Sequence, residues 1–417
     1  LLALGGRAGR GAIPLAAVAP AVSLAWLASA LPDVLDDRAV TASAGWVDTL
    51  GLRLDLRLDG FAAVMMLLVS GIGLLVVAYA ARYFSDRSDR TVRLLGVMTL
   101  FAGSMIGVVI ADNLIVLYGF WELTSITSFF LIGARHDNAT ARTAALHALL
   151  VTGLGAVAML GGFVLIGNAA GTYRLSEILA DPPSGNVVTV GLVLALAGAL
   201  TKSAQMPFHG WLPAAMVAPT PVSAYLHSAT MVKAGVYLVA RFAPAFAAVG
   251  VWRPLTVGVG AVTMIVAGFI ALRQHDLKLL LAYGTVSQLG FMIAVFGWGS
   301  PEAITAGCEI ILAHGAFKAA AFMVVGILDT THGTRDVREL PRPTSRWTPT
   351  VVIAVVAAAS MAGVPLLFGF IAKEAAFEAF DAADTTSAAI ALAAIVAGAT
   401  LTVAYSVRYV LGVMGRL

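Results

Sequence analysis

Charge is what this sequence has least of. Asp, Glu, Lys and Arg make up 12% of its 417 residues, about half the share of a soluble domain. Hydrophobic residues reach 59% and mean hydropathy is +0.91. Too little polar surface remains to cover a globule in water, so a soluble fold is excluded and the bilayer is left as solvent. Cysteine is nearly absent as well. The single Cys308 excludes an internal disulfide, and its place in an apolar run reads as a buried, inert thiol. The seven histidines and one cysteine show no metal-ligand spacing. No Gly-rich phosphate loop ending in Lys-Ser/Thr occurs, which argues against ATP as a driver, and no haem or flavin motif is present. No cofactor is expected. The net charge of +3 and pI near 9.1 do not point to nucleic acid, because the basic residues sit in short loops between apolar runs and read as topology signals.

With about 20 apolar residues per crossing, roughly twelve spans fit the chain. They begin near Ala12, Phe61, Val92, Asn113, Thr143, Val187, Val222, Val251, Leu279, Ala303, Pro349 and Thr385. Arginine placement orients them. Arg7 and Arg10, Arg82/Arg87/Arg90/Arg93, Arg135 with Arg142, Arg273 with Lys278, Arg335/Arg338/Arg342/Arg346 and Arg416 share one side, which is cytoplasmic by the positive-inside rule. Asp112, Glu302 and the loop Glu378/Asp381/Asp384 share the other; Arg241 and Arg253 fall there against the rule. Leu52 to Asp59 alternates apolar and charged residues with period two, which predicts a half-buried external β-strand, read as ordered loop structure without a function of its own. The chain starts at Leu1-Leu2 without methionine and ends at Leu417 just after an apolar stretch, so both ends are expected to continue in a longer chain.

Two spans carry breakers at mid-depth, Lys202 to Pro213 and Ala362 to Phe370. Pro207 and Pro365 each remove a helical N–H and free a carbonyl. Free backbone at membrane depth is tolerated only in protein interior or beside water. A pair of interrupted helices, each with proline followed by glycine and an aromatic, hints at two inverted repeats.

Lysine is the second scarcity. Of 26 basic residues only five are lysines, Lys202, Lys233, Lys278, Lys318 and Lys373. All but Lys278, placed at an interface, fall within or at the breaks of apolar spans. Arginine holds its proton in a protein, whereas a desolvated lysine can release it. A charge at the bilayer centre costs about 2.5–3.5 kcal/mol on insertion scales, so an unused set of this size is hard to sustain. Glu122 is the matching acid, well inside its span, with Ser125 one turn on and in reach for a hydrogen bond. A purely structural Glu–Lys pair between helices is the alternative. His314 and Lys318, four apart, share a helix face, which suits a relay, and Glu309 extends that face. Lys202, Met206 and His209 would share a face too, but Pro207 breaks the helix between them. His227 and Lys233, six apart, need separate partners. His147 is assigned to packing or an interhelical hydrogen bond.

The stretch Pro219-Thr220-Pro221-Val222-Ser223-Ala224-Tyr225-Leu226-His227-Ser228-Ala229-Thr230-Met231-Val232-Lys233-Ala234-Gly235 resembles the signature of the antiporter-like subunits shared by respiratory complex I and the Mrp sodium/proton antiporters. Trp121-Glu122, Lys202 to Pro213, Asp276 to Gly290 and His314 to Lys318 match as well, so the resemblance covers nearly the whole chain. Met231-Val232-Lys233 and Phe322 to Asp329, leading to Gly333-Thr334-Arg335-Asp336, look more like the large A-type component of Mrp antiporters; the complex I homologue usually has a non-basic residue where Lys233 stands. Pro341-Arg342-Pro343 departs from the family's glycine pair and puts that loop alone in doubt.

The resemblance implies an all-α polytopic membrane protein of the bacterial inner (cell) membrane, with two inverted repeats, two interrupted helices and a short external β segment. It implies a helix before Leu1 and a further portion after Leu417. The organisation expected is N-terminal helices with the β segment (1–110), a first half-channel (111–242) and a second (243–417). The implied function is proton translocation in a multisubunit cation/proton antiporter, the cation being sodium, with a complex I-type redox-driven pump as the alternative. Glu122 and Lys202 match the charged pair of one half-channel, Lys233, His227, His314 and Lys318 the central hydrophilic axis, and Lys373 the terminal lysine of the second. The implied partners are other membrane subunits, protons, a monovalent cation and lipid; no nucleic acid is implied.

Overall fold

The computed structural model describes residues 11–47, 52–84 and 88–416. Arg7, Arg10 and Arg87, assigned above to the cytoplasmic side, lie outside the described residues.

In chain order the elements are α1 (Ala12–Leu35), β1 (Val40–Val47), β2 (Leu52–Leu58), α2 (Gly60–Tyr83), α3 (Asp89–Ile110), α4 (Leu114–Ile132), α5 (Ala139–Ala170), α6 (Leu175–Ala180), α7 (Asn186–Lys202), α8 (Trp211–Ala214), α9 (Thr220–Ser228), α10 (Lys233–Phe246), α11 (Val259–Leu272), α12 (Leu277–Trp298), α13 (Pro301–His332), α14 (Thr348–Ala362), α15 (Phe368–Asp381) and α16 (Thr386–Val413). Ten helical segments among the described residues are long and apolar enough to cross a membrane, and α7 is a shorter apolar helix. With α7 and the consecutive pair α9–α10 counted as crossings, and α15 as the continuation of α14, twelve spans result, as the hydropathy reading expects.

Short polar residues start these helices. Asp59, Ser88, Asn113, Asn138, Asp276, Ser300 and Thr385 each accept a backbone N–H at a helix N-terminus. Inside the bundle, glycine permits close backbone approach: a Cβ on Gly162 of α5 would lie 2.4 Å from the Gly191 carbonyl of α7.

The structure differs from the sequence expectation in three places. The external β segment is a two-stranded antiparallel hairpin, with Val40 opposite Leu58 and Ala44 opposite Leu54, rather than one strand. β1 escapes detection because Val40-Thr41-Ala42-Ser43-Ala44-Gly45 is weakly hydrophobic and carries no charge alternation. The hairpin is also tied to the bundle: the buried Asp55 accepts from Arg174 at 3.1 Å, and its carbonyl accepts from Asp112 N at 2.8 Å. Second, a further interruption, between the two expected ones in chain order, appears at 229–232, between α9 and α10; no proline or glycine marks it. Third, Lys278 stands in the first turn of α12 and is buried there, donating to the Ala218 carbonyl at 2.6 Å, a burial that its place at a span end does not announce.

The two arginines that violate the charge rule are both held. Arg241 makes a bidentate pair with Asp59, at 2.7 Å for each contact. Arg253 lies over the Trp298 ring at 4.1 Å and donates to the Trp298 carbonyl at 3.1 Å.

Candidate functional site: a buried lysine axis at the helix breaks

At the first break α7 stops at Lys202, and Pro207, with no N–H to offer the Ser203 carbonyl, keeps the ladder from resuming. The chain unwinds over 203–207, with Ala204 in left-handed backbone at φ 50, and re-forms a short turn at Phe208–Gly210 before α8. Lys202 is fully buried there. Its Nζ donates to Ser125 Oγ at 2.7 Å and to the Trp121 carbonyl at 3.1 Å, both on α4, and lies 5.2 Å from the Trp121 ring. Ser125 therefore serves Lys202 and not Glu122, contrary to the reading from one-turn spacing. Glu122 Oε1 is buried without a hydrogen-bond partner, and no ion pair joins it to Lys202 among the described residues.

At the second break Lys233 opens α10. Its Nζ donates to the Ile311 carbonyl of α13 at 2.9 Å and lies 3.4 Å from where a Cβ on Gly315 would stand. His314 shares that stretch of α13; the Ser228 backbone faces its ring, but neither ring nitrogen reaches hydrogen-bond geometry. Both nitrogens of His227 are likewise buried and unpartnered, with the ring 6.3 Å from that of Trp211. Two buried imidazoles with no protein partner mark places where ordered water would be the natural third party.

One turn further along α13, Lys318 Nζ lies 3.5 Å from the Leu281 carbonyl and 3.5 Å from Met361 Sδ, with the Tyr405 ring at 6.0 Å. The third break, 363–367, releases the last carbonyls of α14, and Lys373 of α15 donates to Met361 and Ala362 at 2.9 Å each. A cavity of about 720 Å³ opens beside Lys373, with Gly363, Glu374, Phe377 and Thr400 in its wall.

The structure thus brings Glu122 and Lys202 to one level across α4 and α7, places Lys233 beside His314, and lines Lys318 and Lys373 on either side of Met361. His209 falls in the turn after the first break, with a buried and unpartnered Nδ1. Glu309 has a buried, unpartnered Oε2. His147 is exposed at a cavity wall shared with Asp276 and Arg335, not packed between helices. Cys308 is half-buried. Lys278 is the residue that sequence reasoning sets aside; its signal is its chemistry, as one of five lysines in an arginine-writing chain.

The fold and site together define a helical membrane bundle with buried lysines lodged at unwound helix segments. The family description "NADH:quinone oxidoreductase/Mrp antiporter, TM" matches residues 111–402, and "NADH-Ubiquinone oxidoreductase (complex I), chain 5 N-terminus" matches residues 46–93. The chain belongs to the NADH:quinone oxidoreductase/Mrp antiporter membrane family. Within it, the likenesses are to A-type subunits. A Rhizobium meliloti relative, named as the A/B component of a probable K(+)/H(+) antiporter, is 47% identical over 381 residues, covering 88% of this chain and 37% of the relative. A Staphylococcus aureus relative, named as the antiporter component mnhA2, is 42% identical over 377 residues, covering 86% and 47%. The solved Mrp complex from a Dietzia species superposes with TM-score 0.91 at 41% identity, over 98% of this chain and 46% of that one. An archaeal membrane-bound sulfane sulfur reductase shares the fold, with TM-score 0.86 at 23% identity, over 96% and 82%. The chain spans less than half the length of the two named antiporter relatives.

Proposed function

We propose that this chain is the proton-translocating part of a multisubunit cation/proton antiporter in the bacterial inner (cell) membrane, a component of a secondary transporter and not an enzyme. Protons pass along Glu122, Lys202, His227, Lys233, His314, Lys318 and Lys373 with bridging waters, and the halves 111–242 and 243–417 act as two half-channels behind the N-terminal helices of 1–110. One observation supports this above others: among the described residues none of the five lysines sits in an ion pair, and each Nζ is held by carbonyls, a hydroxyl or a thioether. A helix-to-helix staple would pair lysine with carboxylate. A lysine held by neutral acceptors can change its protonation state without stranding a buried partner charge.

Coupling follows from repulsion. Protonating one lysine raises the cost of protonating its neighbour in low dielectric, so a cation moving nearby can push protons the other way. Sodium is the cation favoured by the sequence resemblance, while the name of the Rhizobium relative carries potassium. The test is cation-driven proton movement in everted vesicles holding the full-length protein and its partner subunits, with respiration blocked. A sodium- or potassium-dependent signal that vanishes in Glu122→Gln supports antiport through this chain. Proton pumping that appears only when an electron donor is added supports the redox-driven reading, which the complex I wording of the family keeps in view.

A further inference from the structure

The face that carries the β hairpin holds a polar cavity of about 300 Å³ away from the lysine axis. Arg57, Asp59, Asp112, Ser176, Tyr237 and Arg241 line it. Its carboxylates are already engaged: Asp112 accepts from Ser176 N at 2.8 Å and Ser176 Oγ at 2.7 Å, and Asp59 takes both guanidinium contacts of Arg241 at 2.7 Å. Two cations and two anions leave the cavity neutral and wettable.

From its floor, α10 leads inward. Lys233, Tyr237 and Arg241 follow one another at four-residue spacing, so they run down one side of the helix over roughly 12 Å. Arg241 Nε donates to Tyr237 Oη at 3.0 Å, and Tyr237 Oη donates to the Val109 carbonyl at 2.9 Å. Phe61 stacks on Tyr237 with centroids 5.4 Å apart and planes 9° apart, and Phe296 tilts against Phe61 at 5.7 Å. The Arg241–Asp59 ion pair and the ring stacked on Tyr237 thus stand on the side of α10 that runs from the cavity to Lys233.

We propose that this cavity is the external mouth of the proton path, and that the Arg241–Asp59 pair with the Phe61–Tyr237 stack forms its gate, closed in this structure. This rests on the proton-path reading above. Parting the pair frees Arg241 and Asp59 to take water, and joins Lys233 to the external side. The passenger is a proton, not a metal ion. Both carboxylates are engaged and two guanidiniums face the space, which disfavours a bare cation, whereas proton hopping needs only water and exchangeable groups.

The test uses the full-length chain with its partner subunits, in a Cys308→Ser background. Leu179→Cys places a thiol in the cavity wall, and Asp181→Cys places one on the exposed surface two residues on. Cells are treated with a membrane-impermeant cationic methanethiosulfonate, washed and everted. The expected result is that labelled Leu179→Cys loses at least tenfold of its own unlabelled cation-driven proton rate, while labelled Asp181→Cys keeps its rate. No labelling at position 179, or full labelling with an unchanged rate, overturns the proposal. Asp59→Asn keeps the helix-capping oxygen but removes the charge. It is expected to raise passive proton leak several-fold, and an unchanged leak removes the gate. Glu122→Gln in the same vesicles separates the two readings. If it abolishes the rate while labelled Leu179→Cys runs freely, only the mouth fails; if it leaves the rate intact, the proton path itself fails.

Discussion

Lys373 Nζ donates to the Met361 carbonyl at 2.9 Å, while the sulfur of the same Met361 lies 3.5 Å from Lys318 Nζ. One residue in the last turn of α14 thus touches two of the three lysines of the second half, its backbone serving Lys373 and its side chain Lys318. Met361→Leu keeps the carbonyl and nearly the volume, and such swaps cost under about 1.5 kcal/mol of stability. Only the weak thioether acceptor is lost. Cation-driven proton movement is expected to fall several-fold with assembly unchanged, as judged by pull-down of the complex. An unchanged rate would show that the sulfur contributes nothing to the state of Lys318.

Lys202 offers a sharper pair of variants. Lys202→Arg keeps the positive charge but holds its proton, so transport is expected to be abolished while assembly is spared; full activity would remove lysine titration at this position from the mechanism. Ser125→Ala removes the hydroxyl 2.7 Å from Nζ and leaves the Trp121 carbonyl. A hydrogen bond to a charged group contributes about 1.5–3 kcal/mol. Transport is expected to slow by roughly tenfold without being lost, and a rate equal to the parent's would show that the Trp121 carbonyl alone suffices.

The extent to which the sequence foretells this site depends on which atoms build it. Lys202, Lys233, Lys318 and Lys373 are conspicuous because they are rare side chains in apolar runs, and Pro207 and Pro365 flag two breaks by chemistry alone. Their partners are not legible, because most are backbone carbonyls at Trp121, Ile311, Leu281, Met361 and Ala362, and a carbonyl has no letter in a sequence. The break at 229–232 is invisible for a similar reason: Ala229-Thr230-Met231-Val232 has no helix breaker. The burial of Lys278 is not legible either, because its acceptor is the Ala218 carbonyl, 60 residues away. The pairing of β1 with β2, and of Asp59 with Arg241 across 182 residues, depends on tertiary approach that local pattern does not encode.

Gly235 tests the packing behind the axis. A Cβ there would lie 2.0 Å from the Ala199 carbonyl and 2.4 Å from Ser203 Oγ. The carbonyl belongs to α7 one turn before Lys202 and cannot swing aside as a side chain would. Overpacking costs about 1–3 kcal/mol where relaxation is possible, and here α10 must shift against α7. Gly235→Ala is expected to lower the thermal stability of the purified complex and to displace Lys233 from Ile311, so that transport drops more than assembly does. An unaltered melting temperature would show that α7 and α10 are free to part.

The hairpin supplies a pH prediction outside the membrane. Burial pushes the Asp55 carboxyl up, but hydrogen bonds from Ser43 and Arg174 and the charges of Arg174 and Arg53 outweigh it and hold the group below its ordinary value of 3.8. A depressed folded value means that the stabilisation is fully present above the unfolded value and is lost as pH falls through the folded one. Docking of β1 and β2 is therefore expected to be constant from neutral pH down to about pH 4 and to loosen only below it. Amide hydrogen exchange over residues 40–58, measured at pH 7, 5 and 3, reads this directly. Asp55→Asn should raise exchange at pH 7 and flatten the acid dependence. Loosening of the parent hairpin between pH 7 and 5 would mean that a group titrating near neutrality, and not Asp55, secures the hairpin to Arg174.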